Sequence, residues 1–226
     1  MSLSKPRTSN SPVRRWVRVK GGTGELSYWD KAAEAEKTID LPFHFVVLDS
    51  LSAISGYHES SKSGIFSNEV RDTRKEPFTV RSRDGVLVEG LYDDIKDRAK
   101  ALGGKFATSL YIAYKDGDDL AIGNILLSGA ALSSFFDFRK GKNLDNDPGV
   151  AILKFSGPHT KGRTEYFIPE FGSWTPNDLN SAIALDETLQ AYLDGSGQPE
   201  ESAAPSGGYS QPEEPSSPWD DSEPPF

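Results

Sequence analysis

Cations stand beside aromatic rings at several points along this chain, and that pairing is the first chemistry to weigh. Residues 13–20 read VRRWVRVK. As a strand they put Arg14, Trp16, Arg18 and Lys20 on one face and Val13, Arg15, Val17 and Val19 on the other. Arg71, Arg74 and Lys75 precede Phe78, Arg81 and Arg83 hold alternate strand positions, and Phe135, Phe136 and Phe138 lead into Arg139, Lys140 and Lys142. Such sets suit a single-stranded nucleic acid, because cations track the phosphates while each base stacks on a flat ring at about 1–3 kcal/mol. The candidate contacts are Arg14, Trp16, Arg18, Lys20, Arg71, Arg74, Lys75, Phe78, Arg81, Arg83, Tyr114, Phe138, Arg139 and Lys140. Trp16 is the best placed, since a core would reject its three cationic neighbours. The competing reading of that face is a solvated sheet edge. Phe135 and Phe136 read as core, and Tyr111 and Tyr114 point to opposite faces of one strand, so at most one of them faces a groove.

Catalytic chemistry is sparse. There is no H-E-x-x-H, no G-x-S-x-G and no P-loop, and GGTGE at Gly21 lacks the Lys-Ser/Thr end that cradles phosphate, so it reads as a turn. The absence of cysteine removes disulfides, thiolate zinc sites and Cys nucleophiles. His44, His58 and His159 have no metal-ligand spacing, and each reads as a surface or half-buried residue. Asp118-Asp119 and Asp93, Asp94 and Asp97 are acids that a hairpin turn and a helix N-terminus favour anyway. The expectation is a binding protein with no catalytic residues, no metal and no cofactor.

The elements that must position these residues read mostly as strands. FHFVVLDSL from Phe43 is an apolar run of strand length, and EPFTVRSRDGVLVEG carries two β-rich pieces about Asp84-Gly85. Leu91, Ile95, Ala99 and Leu102 recur at near-helical spacing, with Asp93 and Asp94 in the first turn and Gly103-Gly104 as the stop. KFATSLYIAYKDGDDLAIGNILLSG gives two strands about Asp116-Gly117, AALSSFFDFRKGK is helix or loop, and GVAILKFSG with RTEYFIPEF makes another pair. Thr175-Pro176 signals a last helix through about Leu193. Strands, one central helix and more strands predict a mainly β fold: an OB-fold-like antiparallel β-barrel with a mid-chain helix and a C-terminal helix. Another antiparallel barrel or a sandwich shares that strand density.

Charge divides the chain into three. Residues 1–12 form a flexible basic N-terminus, 13–194 the folded domain and 195–226 a tail. The tail holds seven of the 34 acids, no Lys or Arg, and seven of the 15 prolines. The 27 acids left face 25 cations, so residues 1–194 carry −2 of the net charge of −9. A stretch so rich in acid, Pro, Ser and Gly cannot bury enough apolar surface to offset its ordering entropy, which predicts a disordered acidic tail. No run of about 18 apolar residues occurs, and the basic start lacks the apolar centre of a signal peptide, so the expectation is a cytoplasmic protein without membrane contact.

The chain closes on PWDDSEPPF. This ending resembles the acidic tip of bacterial single-stranded DNA-binding proteins, and phage-encoded members of that family likewise combine an OB-fold with an acidic tail ending in an aromatic. The matching residues are Asp220, Asp221, Pro225 and Phe226; Ser222, Glu223 and Pro224 depart from the bacterial tip. A body longer than the usual bacterial domain favours the phage type. The resemblance implies a protein that coats and protects single-stranded DNA in replication, recombination and repair, acting in the host cytoplasm. It also implies that the tail recruits replication and recombination proteins, with Trp219, Asp220, Asp221, Glu223, Pro225 and Phe226 as the contact. A terminal Phe on a tether fills an apolar pocket while its carboxylate meets a cation. Self-association into a homo-oligomer is left open, as are a phage structural or interaction protein and a metal-dependent DNA-processing enzyme.

Overall fold

The computed structural model describes residues 11–144 and 146–195. The first strands are β1 (Val13–Lys20), β2 (Glu25–Asp30), β3 (Ala35–Ile39), the long β4 (Phe43–His58) and β5 (Ser63–Ser67). Then come β6 (Phe78–Ser82), β7 (Gly85–Gly90), helix α1 (Tyr92–Ala101), β8 (Gly104–Asp116) and β9 (Asp119–Ser128). Helix α2 (Gly129–Lys140), β10 (Gly149–Lys161), β11 (Thr164–Ser173) and helix α3 (Leu179–Gly195) complete the described residues. The fold is mainly β, and no helix among the described residues is long and apolar enough to cross a membrane.

Local chemistry accounts for most of these elements. Between β8 and β9, Asp116 pairs with Asp119 across a two-residue loop in which Gly117 takes φ +72°, a conformation that costs glycine little. Helix α1 buries Ile95 and Ala99 one turn apart. The segment 129–140 is a helix because Leu132 and Phe135 then share a buried side. Helix α3 begins later than Thr175-Pro176 promised. Asp178 accepts the Ser181 N–H at 3.1 Å and also the Ser181 hydroxyl, an N-cap that holds the Asp178 carboxyl below its ordinary range.

The sheet runs β3-β2-β1-β9-β8-β4-β5-β6-β7, with β10 on the other edge of β4 and β11 on β10. It is open and mixed, and the expectation of antiparallel pairing throughout is corrected at one place: β1 lies parallel to β9. That pairing joins strands about a hundred residues apart, and no turn signal announces it. Against one face packs the main core, which includes Val17, Leu26, Phe45, Leu110, Ile112, Ile125 and Ile152 and is covered by Leu132 and Phe135 of α2. The same face farther along β4 holds a second core of Ile54, Ile65, Val70, Phe78, Val80, Val88, Ile95 and Ala99. On the opposite face, called here the outer face, α3 sets Leu189 against Leu51, Tyr111 and Ile122, and Ala182 against Val46 and Ala113. Strand β8 is thus buried on both sides from Ala107 to Tyr114.

Candidate nucleic-acid interface

Strand β1 carries an irregularity at Arg14, between the pairs Val13–Ile122 and Arg15–Gly123. Beyond it the alternation is regular. Val17 is buried in the main core, while Trp16 and Arg18 are exposed. Arg15 also turns inward, with its guanidinium 4.3 Å from the centre of the Tyr28 ring and hydrogen-bonded to Asp116. A four-residue turn then returns the chain. The Gly24 N–H donates to the Lys20 carbonyl at 2.9 Å, and Gly24 takes φ +71° under the Phe167 ring, which a Cβ would meet at 2.9 Å.

This turn fixes the register: Lys20 faces Glu25, Arg18 faces Ser27 and Val17 faces Tyr28. The ladder ends at that last pair, and the next residue of each strand, Trp16 and Trp29, lies on the outer face. The two indoles are 54% and 49% exposed, on an outer face that carries Arg18 and Lys20. Leu126 of β9 joins them, 41% exposed and one step past the Val17–Ile125 pair beside Arg18. Two acids share the patch, Glu25 opposite Lys20 and Glu36; the latter binds Lys20 at 2.6 Å and accepts the Ser27 hydroxyl at 2.8 Å. Lys20 first and Ser27 second hold its carboxyl below the usual range, and Arg18 adds a weaker pull. Two large rings kept in water beside cations are a costly surface, unlike scattered single apolar residues.

Sequence reasoning missed Trp29. The signal was present: a turn that pairs position 20 with 25 puts 16 and 29 on one face, and ELSYWD alternates so that Leu26 and Tyr28 point one way and Ser27 and Trp29 the other.

The structure does not gather the other candidates at this patch. Arg14 pairs with Asp116 at 3.0 Å. Arg71 binds Asp49 at 2.8 Å and Gln190 of α3 at 2.8 Å. Arg74 and Lys75 lie in the loop after β5, where Asp72 accepts the Arg74 N–H at 3.0 Å and the Lys75 ammonium at 3.1 Å; these hold its carboxyl low, the Arg74 bond most. Arg81 faces Phe66, and Arg83 donates to the Ser61 carbonyl at 2.8 Å.

Two ring assignments, Phe78 and Tyr114, are corrected, and a third ring, Phe138, turns partly inward. Phe78 is fully buried in the second core. Tyr114 is buried against Phe43 in the main core, and burial pushes its phenol up to about 12. Phe138 is half-buried between Phe135 and Phe171, because spacing of three on a helix turns it toward Phe135 and the core. Arg139 and Lys140 remain exposed beyond it, with Lys140 paired to Asp137 at 2.8 Å.

A cleft of about 590 Å³ lies apart from the indoles, between α2 and α3 where β4 passes from β10 to β5. Arg71, Arg139, Asp49 and Asp186 all line it, with Phe136 in its wall, so its charges are balanced. Among the described residues no three His, Asp or Glu side chains are grouped to hold a metal ion. Trp219, Asp220, Asp221, Glu223, Pro225 and Phe226 lie outside the described residues. No family model, no curated protein and no solved structure matches this chain.

Proposed function

We propose that this chain binds single-stranded DNA without sequence preference and acts by covering it rather than by catalysis. The observation that carries the reading is the two exposed indoles, Trp16 and Trp29, on the same face of neighbouring strands with Arg18 and Lys20. A double helix offers no unstacked base to such rings; a single strand offers one per nucleotide. Affinity then comes from stacking and from counterions released as cations meet phosphates.

An OB-like barrel for the larger half of the fold belongs to the same proposal. It is supported by α1 between the two sets of strands and by the Phe167 N–H, which donates to the Gly21 carbonyl at 2.7 Å and brings β11 to the β1–β2 turn. Capture of replication and recombination proteins by Trp219 to Phe226, and a place in the cytoplasm, rest on the resemblance of the closing residues alone.

The deciding experiment is tryptophan fluorescence during titration with oligo-dT at several salt concentrations. Binding should quench the signal, Trp16→Phe and Trp29→Phe should each remove part of the quench, and log affinity should fall linearly with log salt. Absence of binding at low salt overturns the proposal.

A further inference from the structure

The outer face does not end at the indoles. The β8–β9 register is unbroken from Ala107–Ser128 to Asp116–Asp119, and the β4–β8 register is unbroken from Asp49–Tyr111 to Gly56–Gly104. Faces can therefore be followed across the sheet. Trp16 pairs with Asn124 and Asn124 with Tyr111, both buried, with α3 lying over Tyr111. Lys105 stands six residues along β8 on the same side, exposed beyond the buried stretch from Ala107 to Tyr114, so a strand joining the two ends passes beside α3. Lys105 pairs with Ser55, the next strand presents Phe66, Phe66 pairs with Arg81, and Arg81 pairs with Val86. This row crosses five strands, and Tyr57 stands two residues beyond Ser55 on the same side.

On the reverse of the row, Ile54, Ile65, Val80 and Val88 fill the second core, so packing does not require a ring at position 66 or 57. Phe66 and Tyr57 are each 38% exposed all the same. They stand with two cations, Arg81 and Lys105; of the acids on that side, Glu89 is one row away opposite Thr79, and Glu69 accepts the Tyr111 hydroxyl at 2.6 Å. The arrangement repeats that of Trp16 and Trp29 with Arg18 and Lys20. β1 and β5 are four strand steps apart, about 19 Å, and six residues along β8 add about 20 Å in the other direction. Arg18 and Lys20 run from Trp16 toward that end, because β1 is parallel to β9.

We propose that Tyr57, Phe66, Arg81 and Lys105 form a second contact for the same DNA single strand, occupied only when the strand is long enough to extend from the indoles. The inference rests on the reading of the Trp16–Trp29 face as the first contact. Its test compares oligo-dT of about 4 and about 16 nucleotides, the limits of the site sizes found for single-strand-binding domains. Phe66→Ala should weaken the 16-mer roughly five- to a hundred-fold and leave the 4-mer unchanged, and Phe66→Tyr should restore the 16-mer. Arg81→Ala should lower the salt slope of the 16-mer by about one and leave that of the 4-mer alone. Unfolding midpoints of the variants identify any that fail to fold, and Lys105→Ala, on the exposed end of β8, gives the same slope test independently. An unchanged 16-mer affinity in Phe66→Ala, with Trp16→Ala still weakening it, overturns the second contact and spares the first. Equal losses at both lengths also overturn it. If wild-type protein binds neither oligomer, both readings fall.

Discussion

β1 and α2 contain the same ingredients, aromatic rings within a few residues of several cations, and the fold puts them to opposite uses. In β1 a period of two sends Trp16 out with Arg18 and Lys20 while Val17 goes in, so ring and charge share a face. In α2 the rings at 135 and 138 are three apart and turn together toward Phe171, while Arg139 and Lys140 continue around the helix into solvent. Adjacency in sequence therefore says little about a stacking site until the period of the element is known. The helix separates what the strand keeps together.

The contrast breaks most visibly at Phe135, which is wholly buried. Phe135→Ala should cost about 3–5 kcal/mol of folding stability, read as a lower urea or thermal midpoint, with DNA affinity per folded molecule unchanged. Trp29→Ala should do the reverse. It should lose about 1–3 kcal/mol of affinity for oligo-dT with its midpoint within about 0.5 kcal/mol of the parent. If Trp29→Ala melts early instead, its ring belongs to the fold and the contrast with α2 fails.

A gentler test sharpens the electrostatic side. Glu36 holds Lys20, so Glu36→Gln should free that ammonium for a phosphate and raise strand affinity about two-fold at low salt, an effect that fades as salt rises. The pH dependence has a definite sign. The folded carboxyl titrates below its ordinary value of 4.5, so its stabilising contribution is complete above that pH and is lost as pH falls through the lower folded value. An unfolding midpoint that declines more steeply for the parent than for Glu36→Gln below pH 4.5 is the expected result.

Much of the fold was legible because it is local. The hairpins about Asp84-Gly85 and Gly117, helix α1 and the alternation of β1 follow from turn residues and periodicity, and the structure contains each of them. Pairing between distant segments was not legible. Nothing in VRRWVRVK announces β9 as its parallel neighbour, and without that pair the sheet reads as a simple barrel. Burial on two faces was hidden for a related reason. Period two shows that Tyr111 and Tyr114 oppose each other, but only the tertiary arrangement puts α3 over one and the main core over the other. Helix starts were legible in kind and wrong in place: Thr175-Pro176 and Asp178 both suit a cap, and the carboxylate that reaches the Ser181 N–H is the one used.

The length of β4 has a dynamic consequence. Along one edge it is bonded to β8 from Phe45 to Gly56, while its other edge passes from β10 at Phe43 to Val46 to β5 at Gly56 to His58. Its amides therefore belong to two classes in hydrogen exchange. Those held by β8 open only when the main core opens; those held by β5 open when β5, β6, β7 and α1 peel away as a smaller unit. A guest that lies on the indoles alone adds nothing to the cost of that peeling. A guest that spans both ends of the outer face must be released before the smaller unit can leave, so it slows exchange in β5 to β7, on strands it touches at only a few side chains.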